Sequence, residues 1–170
     1  MKKIGKTLCG LIGGFILLSA AVANEAYGNN QRRLLTEREA VKIALDNSPN
    51  WKLKKIETEI KKGKEIYEVV LVHDRDEKEY LINARTGEIV KYEVEDHDDV
   101  VEYGDIKISF EDAIKIALDK SKNGVFKKVE IESKRGKLYY DVEVLEENKK
   151  KEYRIDVEDG QIISTKIENR

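Results

Sequence analysis

Helical and strand periods alternate along this chain, and the alternation is written twice. Val41, Ala44 and Leu45 share one face of a 3.6-residue helix, and so do Ile114, Ala117 and Leu118. Ahead of the first, Thr36-x-x-Glu39 has the form of a capping box, in which hydroxyl and carboxylate each satisfy a free N–H of the first turn. Ser109-x-x-Asp112 is its shorter copy. Leu35 and Ile108 stand just before these caps, placed to close on Ala40 and Ala113 as hydrophobic staples. The first helix is predicted to stop near Ser48-Pro49, because proline restricts the residue before it, and the second at Asn123-Gly124.

After each helix the period falls to two. Ile56-x-Thr58 and Val129-x-Ile131 begin a first strand, and Lys62-Gly63-Lys64 and Arg135-Gly136-Lys137 then make tight turns with glycine where φ > 0 is needed. Tyr67, Val69 and Leu71 alternate with their neighbours in a second strand, matched by Tyr140, Val142 and Val144. Tyr80 and Ile82 mark a third, matched by Tyr153 and Ile155. Arg85-Thr86-Gly87 and Glu158-Asp159-Gly160 turn into a fourth, carrying Ile89 and Ile162. Such alternation predicts an antiparallel sheet with one buried face, which the helix covers. The expected class is α+β: two repeats, each one helix packed on an antiparallel four-stranded β-sheet.

The duplication is explicit. Shifted by 73 residues, positions 35–95 lie over 108–168 without a gap, and about 24 of the 61 aligned positions are identical. Units of this size are near the lower limit for an independent core, so two small domains leaning on each other are expected.

Residues 1–23 stand apart. Lys2, Lys3 and Lys6 make a positive start, an apolar stretch follows from Leu8 to Leu18, and Ala21-Val22-Ala23 offers a small-x-small site. This is the order of a secretory signal, with cleavage expected near Ala23-Asn24; retained, the same segment would be a membrane anchor. Cys9 lies at the very start of the apolar stretch, and Lys6-Thr7-Leu8 is no lipobox. Residues 24–34 read as a flexible leader, 35–95 as a first domain, 96–107 as an acidic linker and 108–168 as a second domain. Secretion or residence in the cell envelope follows.

Charge and composition narrow the chemistry. With 32 Lys+Arg against 34 Asp+Glu, nothing would neutralise a run of phosphates, so no nucleic-acid partner is expected. Loss of 1–23 would remove three lysines and no acid, making the remainder more acidic. One Cys excludes a disulfide framework, and two His leave little for zinc or triad chemistry.

The helix, the glycine turn, the Tyr-rich strand and the following Tyr-x-Ile and glycine hairpin together resemble the PepSY domain. Ala40, Ala44, Leu45, Tyr67, Val69, Tyr80, Ile82 and Gly87 carry the resemblance in the first repeat. Ala113, Ala117, Leu118, Tyr140, Val142, Tyr153, Ile155 and Gly160 carry it in the second. The family occurs in propeptides of thermolysin-like metallopeptidases and in small exported bacterial proteins, so the resemblance implies inhibition or local control of a peptidase. The chain contains no His-Glu-x-x-His motif, so such an effect is expected in trans. The matching residues are core and turn residues, and no family binding residue carries over by position.

No catalytic set and no cofactor are expected. Glu95, Asp96, Asp98 and Asp99, in a wider acidic run from Glu93 to Asp105, could hold calcium but lack EF-hand spacing, and read better as a solvated linker that keeps the units apart. Asp74-Arg75-Asp76-Glu77 reads as a polar hairpin loop, and His73 and His97 as surface residues. Trp51, the only tryptophan, either packs over the end of the sheet or serves as an interface anchor. Opposite the predicted core, the first repeat carries Ile66, Val70, Val72 and Leu81, where the second has Tyr139, Glu143, Leu145 and Arg154. That greasier face should be covered, by the second repeat, another copy or a foreign protein. The expected function is a non-catalytic exported module that inhibits or modulates an exported peptidase, with sheet edges or the outer face of the first repeat making the contact. The alternatives are an envelope structural or interaction protein without a peptidase target, and a calcium-responsive acidic module.

Overall fold

The structure is a computed structural model that describes residues 33–96 and 103–170. The expected signal peptide and most of the expected leader lie outside the described residues, as do His97, Asp98 and Asp99. The first repeat contributes α1 (Glu37–Asp46), β1 (Lys52–Lys61), β2 (Lys64–His73), β3 (Asp76–Asn83) and β4 (Ile89–Asp96). The second contributes α2 (Phe110–Asp119), β5 (Val125–Lys134), β6 (Lys137–Glu146), β7 (Lys149–Asp156) and β8 (Ile162–Asn169). The first strands start four residues earlier than the alternation suggested. The second helix ends at Asp119, with Lys120 as its C-cap, ahead of the predicted Asn123-Gly124 stop.

The helices start as the sequence dictates. The Thr36 hydroxyl accepts the Glu39 N–H, and the Glu39 carboxylate accepts the Thr36 N–H at 2.7 Å, which completes the capping box. Ser109 caps α2 by accepting the Asp112 N–H at 3.1 Å. Lys62-Gly63 and Arg135-Gly136 take positive φ at both positions, the backbone that a two-residue turn needs to follow strand twist.

The expectation of two leaning domains with separate four-stranded sheets is corrected. All eight strands form one antiparallel sheet in the order β4-β3-β2-β1-β5-β6-β7-β8. The repeats meet at a β1–β5 seam where Lys55 faces Glu130, Ile56 faces Val129 and Glu57 faces Lys128. Ile56 and Val129 occupy equivalent positions, so a pseudo-twofold axis passes between them. Both are fully buried in a core that runs through the two repeats. Pairing two first strands removes two free edges and merges two cores, each marginal by itself. On the helix side, Arg38 Nε donates to Glu111 Oε1 at 2.8 Å, again across the axis between equivalent positions.

The described end of the expected linker, residues 103–107, contacts both repeats. The Tyr103 carbonyl accepts from Lys52 Nζ at 3.5 Å, and the N–H groups of Lys107 and Ile108 donate to the Val157 carbonyl. Asp96 belongs to β4 rather than to a linker.

Candidate functional site

Repeated side chains fasten each helix to the sheet at both ends. Tyr67 donates its hydroxyl proton to the Leu35 carbonyl at 2.7 Å, and Tyr140 to that of Ile108 at 3.0 Å. Ser48 meets the Tyr80 hydroxyl at 2.8 Å beyond the helix exit, and Ser121 meets that of Tyr153 at 3.2 Å. Burial and nearby carboxylates push the Tyr67 and Tyr140 hydroxyls up to about 12, which keeps them neutral donors. The residues most alike between the repeats therefore hold the fold, and any partner-binding chemistry has to come from elsewhere.

The face away from the helices differs between repeats. Ile66, Val70, Val72 and Leu81 all lie there, outside the helix-side core, as the alternation predicted. They are not exposed: their accessibilities are 4%, 7%, 9% and 9%. Long charged side chains form ion pairs beside them on the sheet. Lys54 pairs with Glu77, and Lys55 with Glu68 at 2.5 Å. A shallow cavity of about 160 Å³ opens over Val70, walled by these lysines with Glu77, Glu79, Glu93, Glu95 and Glu130. Lysine stems can shield apolar surface while keeping the ammonium wet. Burial, with Glu68 nearby, pushes the Glu79 carboxyl above its ordinary range.

In the second repeat the same face carries fixed ion pairs. Arg154 Nε donates to Asp141 Oδ1 at 2.8 Å, and the second guanidinium nitrogen engages the other carboxylate oxygen. The guanidinium also stands 5.8 Å from the Tyr139 ring centre. Lys128 pairs with Glu143 at 3.3 Å. Asp141 aligns with Glu68 and Arg154 with Leu81, so the first repeat keeps the carboxylate but has leucine where the second has arginine.

Trp51 is half-buried at the end of the sheet. Its ring lies 5.6 Å from that of His73, and Lys78 Nζ sits 4.3 Å from the indole centre. Asp74 and Arg75 form the β2–β3 turn, while Asp76 and Glu77 begin β3. Among the described residues, no group of three or more His, Cys, Asp or Glu is arranged to hold a metal ion. Of the calcium candidates, Glu95 and Asp96 end β4. No helix among the described residues is long and apolar enough to cross a membrane.

Sequence reasoning predicted β4 as a fourth strand but not that it lies at the edge of the sheet. Val90, Tyr92 and Val94 are 48%, 56% and 53% exposed there, and Tyr92 stacks its ring 6.0 Å from that of Tyr80. The signal was present in the Val-Lys-Tyr-Glu-Val alternation, but nothing local says which strand lies at an edge.

A profile of the domain described as "Peptidase propeptide and YPEB domain", PepSY, matches residues 34–93 and again 107–166. Among solved structures, the chain is similar to the crystal structure of a putative lipoprotein from Clostridium difficile 630. Identity is 19% and the TM-score 0.57, over 81% of this chain and 97% of that one. The likeness establishes the fold. It also matches the C-terminal domain of Bacillus megaterium YpeB, at 11% identity and a TM-score of 0.31, over 82% of this chain and 100% of that one. No curated protein matches the chain.

Proposed function

Since the chain belongs to the PepSY family, we propose that it is a non-catalytic binding module that inhibits or modulates a peptidase in the extracellular or envelope space. The observation that carries this reading is the match of both repeats to a domain described by its occurrence in peptidase propeptides. The sequence of 1–23, with its positive start and small-x-small end, supports export of the chain.

The contact is made by the outer face of the first repeat; Trp51 packs against the helix-side core and lies outside that face. A partner that parts the Lys54–Glu77 and Lys55–Glu68 pairs reaches Val70 in the cavity they wall, with Ile66, Val72 and Leu81 on the same face. The second repeat offers no equivalent, because Glu143 and Arg154 replace Val70 and Leu81.

The test is to add the exported chain to peptidases recovered from the producing cell's exterior and to follow binding and turnover. Stoichiometric binding with slowed turnover is the expected result. Leu81→Arg is the informative variant: it copies the second repeat's residue beside a carboxylate, so the fold can accept it as Arg154 is accepted by Asp141. It should abolish the inhibition. Binding without slowed turnover would make the protein a localiser, and no binding would leave the envelope-scaffold reading in its place.

A further inference from the structure

Among the described residues β4 is an outer strand of the sheet, and its edge repeats the chemistry of the seam. At the seam, Lys55-Ile56-Glu57 runs antiparallel to Lys128-Val129-Glu130, with the apolar pair on the pseudo-twofold axis and a lysine facing a glutamate on either side. The apolar residue points toward the helices and the charged ones away. Lys91-Tyr92-Glu93 in β4 has the same order and the same facing. Tyr92 lies over Tyr80 on the helix side, and Lys91 pairs with Glu93 at 2.6 Å on the other. The seam triplets hold comparable same-strand pairs, Lys55–Glu57 at 3.7 Å and Lys128–Glu130 at 3.1 Å.

We propose that β4 is an interface between two copies of this chain, which join edge to edge about a twofold axis through Tyr92. In that register each Lys91 faces the other copy's Glu93, and the contact ends at Val90, where β4 shifts register against β3. The exposed Tyr92 and Val94 thereby gain a neighbouring strand, and outward backbone groups of residues 91–93 find partners. A lysine on an edge ordinarily resists pairing, but this register sets it against a carboxylate. The second copy's Lys91 also brings a cation beside Glu93 and Glu79, which repel each other in the single chain.

Charge selects this partner over the sheet's other outer edge. In β8 the corresponding triplet is Ser164-Thr165-Lys166. An antiparallel β4–β8 contact centred on Tyr92 and Thr165 would set Lys91 against Lys166. One short strand pair is a small interface, so the dimer forms weakly and depends on concentration.

The test is the mass of the full chain, recovered as its host processes it, by sedimentation across a dilution series. Wild type should move from monomer to dimer as concentration rises. Lys91→Glu and Glu93→Lys place like charges opposite one another and should each weaken association by about tenfold or more. Mixing these two variants should restore it, as should combining them in one chain, since Glu-Tyr-Lys is again self-complementary. Both β4 sites are half exposed, so unchanged thermal melting will show that the fold is intact. A wild type that stays monomeric at its highest soluble concentration overturns the proposal. A dimer indifferent to the β4 charges, or single variants that mixing does not rescue, overturns it equally.

Discussion

The two repeats agree where helix meets sheet and disagree where the sheet turns away from the helices. Tyr67 and Tyr140 hold equivalent carbonyls, Ser48–Tyr80 and Ser121–Tyr153 close equivalent helix exits, and Gly87 and Gly160 keep positive φ beside Ile43 and Ile116. On the outer face, the apolar set of Ile66, Val70, Val72 and Leu81 stands against an ion-paired set in the second repeat. The edges diverge too: β4 shows Val90, Tyr92 and Val94, while β8 shows Ile163 and Ile167 around a threonine. What the duplication kept is thus the fold, and what it varied is the surface a partner can meet.

The largest expected effect comes from the shared core. Ile82 and Ile155 are fully buried at equivalent positions. Ile82→Ala and Ile155→Ala should each cost about 3 kcal/mol in denaturant unfolding. Because one core spans both repeats, each should lower the same single transition. Two separated transitions would break the comparison and make the repeats independent.

Gly124 gives the next effect. It aligns with Trp51, yet a Cβ there would stand 2.5 Å from Val144 Cγ1 and 2.6 Å from Ser121 Cβ. Gly124→Ala should therefore cost about 2 kcal/mol in the same measurement, through displacement of packed side chains. An unchanged midpoint would show that this end of the second repeat yields freely.

The tyrosine ties should cost less and cost alike. Tyr67→Phe and Tyr140→Phe each remove one hydrogen bond and should lower stability by about 1 kcal/mol. A clear inequality would mean that the repeats do not share the load of holding their helices.

Smallest is the effect of acid on the cap of α1. The Arg33 guanidinium first, then the Thr36 N–H, hold the Glu39 carboxyl at about 2, below its ordinary 4.5. The folded value lies below the unfolded one. The contribution is therefore complete above about 4.5 and disappears as pH falls toward about 2. Arg33→Ala should reduce this acid sensitivity, seen as a smaller loss of stability across that window.

Much of the architecture was legible because its causes are local. A capping box, paired turn glycines and a change of period announce the helix and four strands of each repeat. The seam was not read, although Lys55-Ile56-Glu57 and Lys128-Val129-Glu130 are complementary when laid antiparallel. Strand partners are long-range choices, and a period of two does not name its neighbour. The outer face was legible in direction but not in burial. Ile66, Val70, Val72 and Leu81 point as expected, but their burial goes with ion pairs made between strands, Lys54 and Lys55 of β1 reaching Glu77 of β3 and Glu68 of β2.

Amide hydrogen exchange at the seam tests the central claim, one cooperative sheet made from two copies of a unit. The hydrogen-bonded amides of residues 55–57 and 128–130 should exchange as slowly as those in the middle of β2 and β6, through global unfolding alone. Fast exchange at the seam beside slow exchange within each repeat would contradict the account, leaving two folded units in contact rather than one sheet.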